Sequence, residues 1–203
     1  QQADGDYAAV VVSSANREID EEQVAASSEA ISDARELVLH NEISAAASAA
    51  AARLARGAGA TVIHNAAPAR ESAELTGLVD ILVVNTVEAE QLGARPVDDL
   101  ASAARAAFEL RKVAPSVVVT AGGAGVAVSS EAHSIALPPH PVERPQTHGA
   151  GDVFVGALAA RVALEAPFAE ALRYANAAAA LHVAKAAERD KVGPVEVKRL
   201  LED

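Results

Sequence analysis

The sequence predicts an α/β fold in which a parallel β-sheet is covered by helices. Short apolar, β-rich runs alternate along the chain with longer Ala-rich stretches at helical spacing, the order of a βαβ chain. The runs at Ala60 to His64 and Asp80 to Val84 are continuously apolar rather than alternating, as expected of parallel strands buried on both faces. Hydrophobic residues make up 51% of the chain but aromatic residues only 2%, so Ala must fill much of the interior and the elements must pack closely. The length of 203 residues fits one domain with a sizeable core. No repeat, low-complexity linker or internal boundary is visible, so a single domain over 1–203 is expected.

The elements follow in order. Tyr7 to Val12 is expected as a strand, Asp20 to Asp33 as a helix and Glu36 to His40 as a strand. Ser44 to Gly57 has small apolar residues at helical spacing, with Gly57 as its stop. After the two buried runs, Val97 to Lys112 is a helix, Ser116 to Thr120 a strand, and Gly125 to Ser129 a partner for it in a hairpin. Ser130 to Pro145 is rich in Pro and His and predicts loop and a short edge strand, because Pro cannot donate to a ladder. Gly149 to Glu165, Phe168 to Glu188 and Pro194 to Glu202 complete the chain as helices.

Charge and composition narrow the function. The formal net charge is −11, which repels nucleic acid and anionic lipid, so neither is expected as a partner. The same charge repels a nucleotide at long range, so any nucleotide site must rest on local backbone N–H groups and metal ions. Cys is absent, which excludes disulfides, thiolate metal sites and Cys nucleophiles and fits a cytoplasmic location. No signal peptide and no membrane-spanning run is visible. Met is absent even at position 1. Two explanations stay open: the sequence is a fragment, or it omits modified Met residues. The six His residues form no pair at ligand spacing on one helix, so no structural zinc is expected.

Three segments carry chemistry. Thr147-His148-Gly149-Ala150-Gly151-Asp152 precedes a helix with Phe154, Leu158 and Val162 on one face. Small residues at a helix start let backbone approach an anion, and the first-turn N–H groups point outward with the positive end of the dipole. An Asp in that turn is poised to take a proton from an attacking hydroxyl. The same residues equally fit a Gly-rich turn with a favourable first-turn charge. Asn85-Thr86-Val87-Glu88 follows a buried strand and fits either a metal-binding carboxylate or a capping box. Val117 to Gly125 ends in a Gly-rich turn that fits either close approach to a nucleotide or a plain hairpin.

Taken together and in this order, the segments resemble the ribokinase-like (PfkB-type) carbohydrate kinases. Gln146 to Asp152 is similar to their DTxGAGD signature, Asn85 to Glu88 to NxxE, and Thr120 to Gly125 to TxGxxG. His64 to Arg70 resembles NPAPAR, with Ala66 for the usual Pro, and Tyr174 to Leu181 matches the late helix beside the adenine. The resemblance implies a three-layer sandwich with helices on both sheet faces and ATP-dependent phosphorylation of a sugar hydroxyl, ribose by default. It implies Asp152 as base and substrate contact, with Gly149, Ala150 and Gly151 as an anion hole. It further implies Asn65, Asn85, Thr120, Gly122, Gly125 and Asn176 at the nucleotide, Glu42 at the sugar, and Glu88 holding Mg²⁺ through water.

Gln146 stands where the family usually has Asp, and Lys185 to Val192 replaces a Gly-containing turn; both changes put activation by K⁺ in doubt. The family's first strands, its Gly-Gly-Asn sugar motif and its small lid sheet, through which relatives form homodimers, have no counterpart in these residues. Other readings remain open: a kinase for a nucleoside, 2-keto-3-deoxygluconate, fructose or a sugar phosphate, or a catalytically silent nucleotide-binding regulator.

Overall fold

The computed structural model describes residues 13–70, 72–142, 148–184 and 192–202. They fall into two compact units, one within Val12–Ala136 and one within Leu137–Asp203. The strand expected at Tyr7 to Val12 lies outside the described residues.

The first unit begins with a 3₁₀ turn and two short helices, α1 (Glu21–Ala26) and α2 (Ser28–Asp33). The single helix expected over Asp20 to Asp33 is therefore broken at Ser27. The Ser27 hydroxyl donates to the Gln23 carbonyl at 3.1 Å, the side-chain competition that makes Ser a poor helix-interior residue. Asp20 starts α1 with a reciprocal cap: its carboxylate accepts from the Gln23 N–H at 3.1 Å, and the Gln23 side chain accepts from the Asp20 N–H at 2.9 Å.

The sheet follows: β1 (Glu36–His40), α3 (Ala45–Gly57), β2 (Thr61–Asn65), β3 (Ile81–Asn85), α4 (Thr86–Gln91), α5 (Leu100–Glu109), β4 (Ser116–Thr120), β5 (Val126–Ser129) and β6 (Ser134–Leu137). The strands lie side by side in chain order. β1 to β4 are parallel, and β5 returns antiparallel along β4, so the sheet is mixed, with the expected hairpin at its far side. Val62, Leu82, Val84, Val117 and Val119 share one face and cluster with the buried alanines of α3 and α5. Ile63, Val83 and Val118, which alternate with them, are at most 2% exposed. Both faces of the central strands are thus buried, which explains their unbroken apolar runs.

Small residues let α3 lie close on the sheet: Ala47, Ala52 and Ala55 are fully buried. The glycine that stops α3 is Gly59, not Gly57. Gly59 has φ +88°, and the Gly59 and Ala60 N–H groups bond the Arg56 and Ala55 carbonyls at 3.0 and 2.9 Å, a Schellman ending. α5 begins at Leu100, three residues later than expected, because Asp99 is its cap and accepts from the Ser102 N–H at 2.7 Å.

The second unit holds α6 (Ala150–Ala163), α7 (Phe168–Ala184) and α8 (Pro194–Glu202). α6 and α7 pack against each other, with Val153 and Ala157 of α6 and Tyr174 and Leu181 of α7 set against buried Ala177, Ala178 and Val197, and Phe154 and Leu158 of α6 are buried as well. Val162, expected on the same face, is only half-buried. The Arg161 guanidinium lies 5.2 Å from the centre of the Tyr174 ring and bonds Glu170, tying the two helices at their exposed side. No helix among the described residues is long and apolar enough to cross a membrane.

Candidate functional site

In the helical unit, the Gly149 turn leads into helix α6. Gly149 is the N-cap of α6 with φ +78°, a left-handed conformation that a Cβ would strain. Glycine has no side chain to cap the helix, and among the described residues no side-chain cap is made. The first-turn N–H groups of Ala150, Gly151 and Asp152 have no partner within the helix itself. Gly151 and Asp152 are exposed. A Cβ on Gly151 would meet no atom within 4 Å, so nothing in the fold itself demands glycine there. The arrangement presents backbone donors and the positive helix end to an anion, with a carboxylate in the same turn. Gln146 and Thr147 lie outside the described residues.

Helix α7 touches this turn. His182 Nε2 donates to the His148 carbonyl at 3.0 Å, and a Cβ on Gly149 would lie 3.1 Å from the same nitrogen. Asn176, expected at the nucleotide, donates from Nδ2 to the Pro138 carbonyl at 3.0 Å. Its amide therefore anchors the segment leaving β6.

In the sheet unit, parallel strands bring their C-terminal ends to one edge, and the polar residues collect there. His40 pairs with Asn65 across β1 and β2, and Asn85 with Thr120 across β3 and β4. Asn65 is buried and Asn85 exposed. The Thr120 hydroxyl donates to the Val84 carbonyl at 3.4 Å. The turn after Thr120 uses both expected glycines in conformations that disfavour a side chain, Gly122 at φ +51° and Gly125 at φ +111°, and closes by an Ala121 N–H bond to the Gly125 carbonyl at 2.7 Å. Glu42 lies exposed in the turn after β1 and accepts from Asn16 Nδ2 at 3.4 Å.

Asn85 and Glu88 form a complete capping box. Asn85 Oδ1 accepts from the Glu88 N–H and Glu88 Oε2 from the Asn85 N–H, each at 2.8 Å. Glu88 is buried, and burial pushes its carboxyl above the ordinary carboxylate range against the opposing pull of the Asn85 bonds and His40. Among the described residues no group of three or more His, Asp or Glu side chains could hold a metal ion.

Two partners here were not singled out from the sequence. His64 is 5% exposed, and its Nε2 bonds Asn41 Oδ1 at 2.9 Å, while Asn41 Nδ2 donates to the Pro68 carbonyl at 2.8 Å. The amide's donation to Pro68 leaves Oδ1 as acceptor, so His64 carries its proton on Nε2. Burial, with His40 and Arg70 nearby, lowers the His64 pKa to about 4, so the ring is neutral at pH 7. The pair holds the turn that carries Glu42. Its sequence signal is one polar residue inside an apolar strand. His182, 34 residues from its partner His148, has no local signal.

A family model described as pfkB family carbohydrate kinase matches residues 1–192. The chain is 35% identical over 178 residues to a ribokinase of Haemophilus influenzae, covering 87% of this chain and 58% of that one. It is also 35% identical over 161 residues to a ribokinase of Mus musculus, covering 77% and 50%. Among solved structures, Arabidopsis thaliana ribokinase complexed with ribose and ATP is similar with a TM-score of 0.78 at 26% identity, over 88% of this chain and 59% of that one. The chain spans about half the length of the curated relatives it matches. With a family model matching nearly its whole length, residues 1–192, and ribokinases among its relatives, the chain belongs to the pfkB family of carbohydrate kinases.

Proposed function

We propose that the protein transfers the terminal phosphoryl group of ATP to a sugar hydroxyl, with ribose as the default acceptor. The observation that carries this reading is the left-handed, uncapped Gly149 turn into α6 with Asp152 in the first turn. Backbone donors aimed at a developing negative charge and a carboxylate beside them are the two parts that phosphoryl transfer asks of a protein. The relatives named as ribokinases, and one neighbour's complex with ribose and ATP, support the choice of substrates.

On this reading the hydroxyl proton passes to the Asp152 carboxylate as the sugar oxygen attacks the γ-phosphorus. The bond to the bridging oxygen breaks and ADP leaves. The Gly149, Ala150 and Gly151 amides stabilise the charge on the transferring group. Asn65, Asn85, Thr120, Gly122, Gly125 and Asn176 are assigned to the nucleotide and Glu42 to the sugar. The residues present fit Mg²⁺ only as an ion carried on phosphates and water, with Glu88 reaching it through water, since no protein cage exists among the described residues. When bound, Mg²⁺ would offset phosphate charge. Gln146 and most of Lys185 to Val192 lie outside the described residues, so activation by K⁺ is not part of the reading. The reading extends to one catalytic domain over 1–203, a cytoplasmic location and a homodimer through the family's lid.

The test is ADP release from ATP and Mg²⁺ with ribose, compared with fructose, a nucleoside and 2-keto-3-deoxygluconate. Ribose-dependent release that is lost in Asp152→Asn supports the reading. Release with another acceptor alone replaces ribose, and no release with any of them sinks it.

A further inference from the structure

We propose that His182 is a positioning residue for the phosphoryl-binding turn. It acts through the backbone of His148 and Gly149 and does not touch substrate. The proposal rests on the function proposed above for the Gly149 turn.

Three observations carry it. The His182 Nε2–H reaches the His148 carbonyl at 3.0 Å, directly before the residue whose left-handed φ of +78° aims the start of α6. The same nitrogen would lie 3.1 Å from a Cβ on Gly149, closer than ordinary contact, so ring and turn are fitted to each other. And α6 and α7 pack against each other, with Val153 and Ala157 lying against buried Ala177 and Ala178, so His182 reaches the turn from a helix seated beside α6. Among the described residues no side-chain cap is made at Gly149. The orientation of its peptide decides where the following N–H groups point. A carbonyl held from a neighbouring helix restrains that orientation.

The bond and the bulk of the ring can be separated. His182→Leu keeps a side chain of similar reach without a donor, and His182→Gln keeps an N–H donor near the Nε2 position. In steady-state phosphorylation of ribose by ATP, kcat should fall about tenfold or more in His182→Leu, because small displacements of preorganised donors can cost up to about a hundredfold. The KM for ribose should stay within about twofold, and His182→Gln should recover most of the rate. A second readout does not depend on activity: hydrogen exchange of the peptide spanning Gly149 to Val153 should quicken in His182→Leu and return towards wild type in His182→Gln. Equal kcat and equal exchange in the Leu variant would overturn the positioning role, and so would equal losses in Leu and Gln. A wild-type protein that phosphorylates none of ribose, fructose, a nucleoside and 2-keto-3-deoxygluconate would sink the proposed function alone, and the exchange comparison would still decide the role of His182.

Discussion

Two helix starts in this molecule answer the same physical problem in opposite ways. α4 begins with Asn85 and Glu88, whose side chains bond each other's backbone N–H groups at 2.8 Å. α6 begins with Gly149, which has no side chain, and among the described residues no side-chain cap is made. The first turn of any helix leaves donors without intrahelical partners. α4 satisfies part of that need from its own sequence and gains stability. α6 starts without a side-chain cap among the described residues, has a left-handed residue that only glycine adopts without strain, and carries an exposed Asp in the same turn. The proposed function places the chemistry at the second kind of start, where backbone donors and a carboxylate share one turn.

The largest expected effect tests the open start. Asp152→Asn should lower ATP-dependent sugar phosphorylation by at least about two orders of magnitude, the range typical of a proton-transfer group. A thermal melt should barely move, because one favourable first-turn charge contributes only about 0.3–1 kcal/mol. A folded variant with near-normal turnover would reduce α6 to another structural helix start.

Next comes Gly151→Val. A Cβ there meets open space and the φ is ordinary, so the fold should accept the change. Val is in fact a better helix former than Gly by a few tenths of a kcal/mol. The branched side chain would stand where an anion must approach, so the Kd for an ATP analogue should rise at least about tenfold, a change of 1.4 kcal/mol. Unchanged affinity by calorimetry would remove the anion hole.

A pair of variants at Glu88 sharpens the other side of the contrast. Gln can still reach back to the N-cap N–H, so Glu88→Gln keeps the capping box and removes only the charge. Glu88→Ala removes both and should cost on the order of 1 kcal/mol of stability, as for a lost cap. Burial raises the Glu88 pKa, so the fold gains nothing from its ionisation, and the Gln variant should be at least as stable as wild type above the ordinary carboxylate range. If Glu88 also serves Mg²⁺, rate measured against Mg²⁺ concentration should shift in both variants. A shift in Ala alone would leave the residue as a cap.

The smallest effect concerns a carboxylate at neither helix start. Burial, helped by Asp80 and opposed by Thr61, raises Glu36 from 4.5 to about 7. The folded state then binds the proton more tightly than the unfolded chain, so this group's contribution falls as pH rises through 4.5 to about 7. Glu36→Gln should therefore melt higher than wild type at about pH 8, with the gap closing in acid. Parallel melting curves across that range would show that Glu36 does not feel its burial.

Much was legible in the sequence because the responsible interactions are short. The strands at Glu36 to His40 and Ser116 to Thr120 and the box at Asn85 and Glu88 each depend on residues within a few positions, and they appear where expected. Boundaries moved where a neighbouring side chain decided them: Ser27 splitting α1 from α2 and Asp99 starting α5.

The sequence by itself determined the α/β class, the order of the elements and the family, since hydrophobic period and motif order survive without coordinates. Only the tertiary structure decided that Asn41 and His64 brace each other, that Asn176 holds the Pro138 carbonyl, and that His182 stands over Gly149. Each of these bonds joins groups 23 to 38 positions apart. Such pairs form because packing of strands or helices has already brought the backbones together, and no local pattern encodes where a distant carbonyl will lie.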